Sequence, residues 1–333
     1  MGRSVPGVRG RIWGKMTPMG QPRPFRFAAQ LSRAPDGSAR SWAEQARRAE
    51  DLGYSTLLMP DHFGDQLAPI PAMVAAATAT TTLRVGALVF DNDYRHPLML
   101  AKEAATVDLL SDGRLELGLG AGWMRTDYDE SGMAYDPPAL RVDRFEEGLA
   151  VVAGLLEADG PFSFAGKHYT ITEHTPLPRP VQRPRPPIIV GGGGRRVLQI
   201  AARHAELVSI NVNLRSGVAG PDAATDATPA ATRRKVGWVR EAAGDRFDDI
   251  ELNTLIGFAM VTDDARGVAE AMAPNFGIDA QDALHVPLAL LGTLDDMAEE
   301  LRWRRQEYGI SYYSIEADVW ETIGPVVARL VGT

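Results

Sequence analysis

Short apolar segments alternate with longer amphipathic ones along most of the chain, from Phe25 to the C-terminus. The short segments have the length of buried strands, and the longer ones carry apolar residues at helical spacing. This alternation is typical of repeated βα units, whose parallel strands form a core that the helices cover. Eight strands are predicted, at residues 26–31, 54–59, 83–90, 114–119, 188–190, 207–213, 251–261 and 311–316. We therefore predict an α/β fold, a TIM (β/α)8 barrel with insertions.

The length and composition fit one large barrel domain. The chain has 333 residues, of which 45% are hydrophobic, enough for a sizeable core. We expect residues 25–333 to form this domain, with variable segments near 125–138 and 215–232, where the sequence is polar or of low complexity. Residues 1–24 contain basic residues but no acidic one. We expect either a flexible basic arm or an upstream start codon, with translation beginning near Met16 or Met19.

Charge and residue usage exclude several classes of function. The net charge of −8 argues against nucleic acid or an anionic membrane as the main partner, because both require a basic surface. The absence of cysteine excludes thiolate catalysis and cysteine-ligated metals. The histidines show no metal-ligand spacing, so no metal site is predicted. No apolar run approaches the roughly 18 residues that a membrane-spanning helix needs, and we expect a cytoplasmic protein with a small-molecule substrate.

Two glycine-rich loops follow predicted strands, at the edge where parallel α/β folds bind their ligands. Within residues 96–123, a helix ends in a Ser-Asp-Gly turn and the next strand leads into Gly120-Ala121-Gly122. The second loop, Gly191–Gly194, precedes Arg195, Arg196 and a helix. Free N–H groups at a helix start, with two guanidinium groups, predict a site for an anion such as phosphate. For both loops, a tight turn that binds nothing is the alternative.

Asp61 and His62 end the second predicted strand, on the same edge as the two loops if the barrel forms. A histidine beside an aspartate at this position is suited to orient a substrate or move a proton. A histidine with a purely structural role is the alternative. His96 comes directly before Pro97, and helix initiation is the role that we predict for it.

Five motifs in collinear order give the chain a family resemblance. They are PDHF at 60–63, RHP at 95–97, AKEAATVDLLSDGRLELGLGAGW at 101–123, PPIIVGGGGRRVLQIAARHAE at 186–206 and LLGTLDDMAEELRWRRQEYGISYYSIE at 290–316. With them the chain resembles the luciferase-like monooxygenase family, especially its branch of deazaflavin-dependent (coenzyme F420) oxidoreductases. The resemblance implies a TIM-type barrel, a flavin or deazaflavin in its C-terminal mouth and, commonly, a homodimer.

The resemblance also implies roles for individual residues. A strand bulge at about Leu88-Val89, often with a cis non-proline peptide, would lie against the cofactor ring. The other residues implied at the cofactor are Ala121 and Gly122 at the ring edge, and Gly192, Gly193 and Gly194 at its phosphate, beside Arg195. His62 would face the reacting carbon and move a proton, with Asp61 beside it.

Two departures from the family pattern limit the substrate. Members that oxidise sugar phosphates or simple alcohols carry a glutamate where this chain has Trp123, and a lysine where it has the segment 211–214. A sugar phosphate is therefore disfavoured. We expect a bulkier or more apolar substrate, framed by Trp123 with Phe63, Phe90 and Tyr94.

Three functions agree with these patterns. The first is an F420-dependent oxidoreductase that transfers a hydride between the deazaflavin and a small organic substrate. The second is an FMN-dependent monooxygenase that uses O2 and a partner flavin reductase. The third is a non-catalytic flavin-binding protein. The fold is common to the first two, so it does not separate them.

Overall fold

The computed structural model of the chain describes residues 23–333, so the predicted arm at 1–24 lies almost wholly outside the described residues. The strands are β1 (Arg26–Gln30), β2 (Thr56–Met59), β3 (Arg84–Ala87), β4 (Phe90–Asp91), β5 (Leu115–Gly120), β6 (Phe162–Ala165), β7 (Thr170–His174), β8 (Ile188–Gly192), β9 (Leu207–Ile210), β10 (Glu251–Ile256), β11 (Phe258–Val261), β12 (Ala289–Gly292) and β13 (Ile310–Glu316). The helices are α1 (Ala39–Asp51), α2 (Pro69–Ala79), α3 (Pro97–Leu110), α4 (Arg125–Ser131), α5 (Pro138–Glu157), α6 (Arg195–His204), α7 (Pro221–Thr225), α8 (Pro229–Ala243), α9 (Ala265–Phe276), α10 (Ala280–Ala283), α11 (Leu294–Tyr308) and α12 (Gly324–Leu330). Within residues 23–333, no helix combines the length and apolar character needed to cross a membrane.

Eight parallel strands close into a barrel. In chain order they are β1, β2, β3, β5, β8, β9, β10 and β13. Pairing of β3 with β5 and of β1 with β13 completes the ring. The short strand β4 continues the line of β3 after an interruption at Leu88-Val89, and it pairs with β5. The predicted (β/α)8 barrel is therefore confirmed.

Glycines allow β3 and β5 to approach closely beside this interruption. A Cβ atom at Gly86 would overlap the Glu116 carbonyl oxygen, and one at Gly118 would overlap the Ala87 carbonyl oxygen. At Gly120, a Cβ atom would lie 2.5 Å from the Val89 side chain. The loop after β5 is consequently held against the Leu88-Val89 segment.

The helix between these strands begins and ends as its sequence predicts. His96 Nδ1 accepts a hydrogen bond from the Leu98 N–H at 3.2 Å, which confirms its role in helix initiation. At the other end, Asp112 (φ 53°) and Gly113 (φ 78°) adopt left-handed conformations, which stop α3 and turn the chain into β5.

The predicted strand at 251–261 is divided into two. Its first part is the barrel strand β10, whereas β11 leaves the barrel and pairs with β12, a strand that the sequence analysis missed. We call residues 257–292 the excursion. It encloses α9 and α10 and has a hydrophobic cluster of its own around Ala269, Ala273, Ala283 and Leu291. The N–H groups of Gly257 and Phe258 donate to the Leu288 carbonyl at 3.0 and 3.1 Å, so the chain returns at residue 288 to the point where it left the barrel, and β12 then runs parallel to β11.

The two segments predicted to be variable contain helices. The irregular segment at 125–138 includes α4, and the segment at 215–232 includes α7 and the first residues of α8. Lys235, which is 2% exposed, donates to the carbonyls of Asn211 and Asp226 at 2.8 and 2.9 Å. These bonds attach the loop after β9 to α8. Residues 162–174 form an antiparallel hairpin of β6 and β7.

Charged side chains fill the N-terminal end of the barrel. Glu116, which is 1% exposed, accepts hydrogen bonds from the guanidinium groups of Arg26 and Arg84 and from the Tyr312 hydroxyl. Arg26 also pairs with Glu251 at 2.7 Å. A buried carboxylate in this position is stable only because each neighbouring cation is paired with it.

Candidate active site at the barrel mouth

A cavity of about 760 Å³ opens at the carboxyl ends of the barrel strands. This volume is within the range of sites that bind small molecules and cofactors. The cavity is lined by every residue predicted to bind the cofactor, namely Leu88, Val89, Ala121, Gly122, Gly192, Gly193, Gly194 and Arg195. Asp61 and His62 line the same cavity. The sequence prediction thus identified one contiguous surface, and the contact of each residue with a cofactor stays a prediction.

The interruption between β3 and β4 carries a cis peptide bond. It joins Leu88 and Val89, the position where the family resemblance predicts a non-proline cis bond. The Leu88 N–H donates to the Met59 carbonyl at 2.8 Å, and ladder pairing resumes at Phe90. Leu88 and Val89 therefore form part of the cavity wall and are accessible to a molecule in the cavity.

The glycines of the second loop serve different purposes. A Cβ atom at Gly193 would overlap the backbone of Val212, so the packing of the protein itself requires glycine there. At Gly194 the nearest atom to a Cβ would be Asn213 Nδ2, at 4.0 Å. Gly194 is also the N-cap of α6 and provides no side-chain cap for the first helical turn. Open space beside uncapped N–H groups fits the phosphate of a bound cofactor.

Arg195 and Arg196 line the cavity, but acidic side chains occupy their guanidinium groups. Arg195 pairs with Glu241 at 3.2 Å, and Arg196 pairs with Asp143 at 2.5 Å. These pairs partly neutralise the charge that the sequence analysis assigned to anion binding. The role of Arg195 at the cofactor stays a prediction.

A third arginine on the cavity wall was missed. Arg141, in the first turn of α5, is 3% exposed, and its Nε and Nη1 atoms have no hydrogen-bond partner in the described part of the chain. Its guanidinium lies over the Tyr135 ring at 4.2 Å and 5.6 Å from the Tyr128 ring centre. An arginine on an amphipathic helix is normally solvated, so the sequence contained no signal for this burial.

His62 is held by a carboxylate from a distant part of the sequence. Its Nδ1 lies 2.7 Å from Oδ2 of Asp127, which is 2% exposed. The same oxygen accepts from the Tyr94 hydroxyl at 2.8 Å, and Oδ1 accepts from the Phe63 N–H at 3.3 Å. An ionised carboxylate only accepts hydrogen bonds, so Nδ1 of His62 is the donor in this pair. Nε2 is then the ring nitrogen left for a ligand.

Asp127, rather than Asp61, is the acidic partner of His62. Asp61 binds Arg95 through both oxygens, at 2.7 and 3.1 Å, and accepts from the Asp91 N–H at 3.1 Å. It therefore holds β4 and the loop that follows. The signal for Asp127 was weak, because Asp129 and Glu130 stand beside it in a polar segment that the sequence analysis treated as irregular.

One of the four predicted pocket aromatics lines the cavity. Trp123 does so, and its ring meets the His62 ring edge-on with 5.6 Å between centroids. Phe90 is buried in the hydrophobic core instead, because its neighbour Asp91 lines the cavity and successive side chains of a strand alternate between faces. Phe63 packs on Tyr94 outside the cavity, and Tyr94 acts through its hydroxyl on Asp127.

Polar residues also line the rest of the cavity, among them Asn211, Asn213 and Arg215 after β9. Gln30 and Glu316 lie side by side on neighbouring strands, with Gln30 Nε2 donating to Glu316 at 3.2 Å. Burial raises the pKa of Glu316. Leu255 and Leu288 are also in the wall. Within residues 23–333, no group of three or more His, Asp or Glu side chains is placed to hold a metal ion.

Asp91 lines the cavity and has no ion pair within residues 23–333. Three aspartates, Asp61, Asp91 and Asp93, lie close together, and two arginines neutralise the first and the last. Asp91 accepts hydrogen bonds from the Asp93 N–H at 2.9 Å and the Tyr128 hydroxyl at 3.1 Å. Burial, reinforced by the charges of Asp93 and Asp61, raises the pKa of Asp91 to about 7.

Asp91→Asn is expected to change how stability depends on pH. Because the folded-state pKa of Asp91 is raised, its ionisation removes stability as the pH rises from about 4 through about 7. Asparagine does not ionise, so Asp91→Asn does not lose this stability. As the pH rises over this interval, the free energy of unfolding of the variant, relative to that of the wild type, should increase by up to about 4 kcal/mol. Urea unfolding at several pH values measures the difference. The exposed Asp65→Asn should show no such trend, and parallel curves for Asp91→Asn and the wild type would refute the assignment.

Solved structures share this fold. The coenzyme F420 dependent tetrahydromethanopterin reductase from Methanopyrus kandleri matches with a TM-score of 0.71 and 19% identity, over 92% of this chain and 98% of that one. The oxygenating constituent of 3,6-diketocamphane monooxygenase from Pseudomonas putida, solved with FMN, matches with a TM-score of 0.67 and 18% identity, over 93% and 98%. At these identities the likeness concerns the fold alone.

Curated relatives also include users of both cofactors. The FMNH2-dependent dimethylsulfone monooxygenase of Pseudomonas putida is 31% identical over 144 residues, 43% of this chain and 39% of that protein. The F420-dependent glucose-6-phosphate dehydrogenase of Amycolatopsis mediterranei is 29% identical over 172 residues, 49% of this chain and 51% of that protein. The chain thus spans about half the length of the curated relatives that it matches.

The family assignment rests on a match that covers most of the barrel. The sequence model described as luciferase-like monooxygenase matches residues 23–307. This range includes β1 to β12, both glycine loops and the His62–Asp127 pair. With the barrel and its mouth arranged as above, the chain belongs to the luciferase-like monooxygenase family, whose members are oxidoreductases and monooxygenases.

Proposed function

We propose that the protein is an F420-dependent oxidoreductase that transfers a hydride between the deazaflavin and a small organic substrate. The observation that carries the proposal is His62, fixed by the buried Asp127 at 2.7 Å and facing the cavity that the predicted cofactor residues line. When a hydride is added to the carbon of a C=O or C=N bond, a proton must be supplied to the oxygen or nitrogen, and the reverse reaction releases that proton. His62 is suited to that proton transfer.

The protein supplies orientation and proton transfer, whereas the bound deazaflavin supplies the hydride chemistry. Leu88 and Val89, which line the cavity, would support the ring, and the first N–H groups of α6 would bind the phosphate. His62 exchanges a proton with the substrate oxygen or nitrogen through Nε2. The Asp127 carboxylate stabilises the imidazolium that forms when His62 accepts this proton.

The substrate that we propose is largely apolar. Trp123, Leu255 and Leu288 provide apolar surface in the cavity. The segment Asn211–Leu214 lacks the lysine that sugar-phosphate-oxidising members carry there, and Arg215, directly after it, is the cation that this part of the cavity wall offers to an acidic group of the substrate. Gln30 and Glu316 remain to bind one polar group of the substrate.

An FMN-dependent monooxygenase is the second candidate. The 31% identity with an FMNH2-dependent monooxygenase supports it. This function would require O2 and a partner flavin reductase. His62 and Asp127 would keep their role as a proton-transferring pair.

Titration of the purified protein with F420 and with FMN tests the proposal. We expect F420 to quench protein fluorescence with a dissociation constant at least 10-fold lower than that of FMN, and reduced F420 to be consumed when a substrate carbonyl or imine is added. Tight binding of FMN without a response to F420 would replace the proposal by the second candidate. Binding of neither would favour the non-catalytic alternative.

A matched pair of glycine variants locates the bound cofactor. Gly194→Val has room within the protein and fills the expected phosphate position. It should weaken binding of the cofactor, whereas Gly237→Val, on α8 with nothing within 4 Å of its Cβ position, should not. Equal affinities for the two variants would show that the phosphate is bound elsewhere.

A further inference from the structure

Arg141 differs from the other deeply buried arginine of the barrel. Arg304, which is 0% exposed, is paired with Glu300 at 2.7 Å and donates to the carbonyls of Val286, Pro287 and Ala289. Arg141 is 3% exposed, yet two of its nitrogens have no acceptor among residues 23–333. A buried guanidinium without an acceptor is costly, so a bound ligand is the natural source of one.

The position of Arg141 indicates where that acceptor lies. Arg141 lines the cavity from the first turn of α5. The start of α6 is beside this turn, because Arg196 pairs with Asp143 at 2.5 Å and with Glu146 at 3.5 Å. The uncapped N–H groups of α6 and the guanidinium of Arg141 therefore belong to the same side of the cavity mouth.

Two aromatic rings hold the guanidinium in place without using its hydrogen-bonding edge. Arg141 lies over the Tyr135 ring at 4.2 Å, and the Tyr135 hydroxyl donates to the Trp123 carbonyl at 3.1 Å. Stacking occupies the flat face of a guanidinium and leaves the N–H groups at its edge for an oxyanion. The guanidinium is thus already positioned to donate two hydrogen bonds to two oxygen atoms of one oxyanion.

We propose that Arg141 binds an oxyanion of the bound ligand, the phosphate of the cofactor, together with the N–H groups of α6. The identity of the cofactor as F420 rests on the function proposed above, whereas the need for an oxyanion rests on Arg141 alone. An acidic group on the substrate presents the same chemistry. The experiment therefore separates these two sources.

Arg141→Met tests the proposal with ligands that differ in their phosphate. The variant should bind F420 about 10- to 100-fold more weakly than the wild type, as expected for a lost charge-assisted pair. Its affinity for the deazaflavin riboside, which has the same ring and no phosphate, should be unchanged. If the protein uses FMN, then FMN and riboflavin form the equivalent pair, so failure of the F420 proposal does not affect this test. Equal losses for both members of a pair, or no loss, would overturn the inference.

Thermal unfolding of the ligand-free protein provides a readout that does not depend on any cofactor. Because Arg141 has no ion pair within residues 23–333 and methionine keeps apolar contact with the Tyr135 ring, Arg141→Met should lower the melting temperature far less than Arg304→Met, which breaks the ion pair with Glu300. Inorganic phosphate should raise the melting temperature of the wild type but not of Arg141→Met. With cofactor bound, this effect should disappear if the cofactor supplies the oxyanion, and persist if the substrate does. The control is Arg125→Met, which removes an exposed guanidinium 5.4 Å from the same Tyr135 ring and should behave like the wild type in each measurement.

Discussion

Asp127→Asn is expected to lower turnover by about 100- to 10,000-fold, the range for loss of general acid–base catalysis, with cofactor affinity close to that of the wild type. The change removes the negative charge 2.7 Å from His62 Nδ1. It also disturbs the hydrogen bond from the Tyr94 hydroxyl. Steady-state kinetics and cofactor titration measure the two effects separately.

A double-mutant cycle shows whether Asp127 acts through His62. If it does, Asp127→Asn should have little further effect on turnover when His62→Gln is already present. The control is Asp129→Asn on the same helix, which removes an exposed carboxylate paired with Arg125. If Asp127→Asn also abolishes cofactor binding, the pair is structural and the proton-transfer role is wrong.

Glu116→Ala is expected to lower the free energy of unfolding by about 3–5 kcal/mol. The carboxylate is 1% exposed and pairs with both Arg26 and Arg84, so its removal leaves two cations without their main acceptor. Tyr312 loses the acceptor of its hydroxyl at 2.9 Å. Urea unfolding measures the change.

The location of Glu116 makes this prediction specific. It lies at the N-terminal end of the barrel, opposite the mouth, so cofactor affinity should be retained in whatever protein remains folded. Glu44→Ala removes a carboxylate from an exposed pair with Arg40 and should change stability little. A loss in Glu116→Ala no larger than that of Glu44→Ala would show that the charged layer is not a source of stability.

The barrel was predictable because its signals are local. Each strand is a short apolar run, and the glycines at 118 and 120 mark the place where β5 must approach β3. The strand at 251–261 was wrong in part, since an apolar run does not reveal that Gly257 takes the chain out of the barrel. Hydrophobic periodicity and composition indicate which face of a helix or strand is buried, but they do not indicate which strand it pairs with.

The cavity was predictable from its backbone positions, and the side-chain partners within it were not. The glycine loops and the Leu88-Val89 bulge follow from strand ends and from the family resemblance. The His62–Asp127 contact joins residues 65 positions apart, and no spacing in the sequence indicates it. Arg141 was missed for a related reason, because its burial depends on the rings of Tyr128 and Tyr135, which α4 and the following loop bring over it.

The closed base of the excursion has an evolutionary consequence. Since Gly257 and Phe258 contact Leu288, residues 257–288 begin and end at nearly one point, and the hydrophobic cluster of the excursion lets them pack with β12 as a unit. A segment of this kind can lengthen, shrink or be exchanged between homologues without shifting the strands that support it. Leu288 belongs to the cavity wall, so an exchange of this segment would reshape one side of the cavity and leave the glycine loops intact. Under the proposed function, such an exchange would change the substrate range without a change at the cofactor.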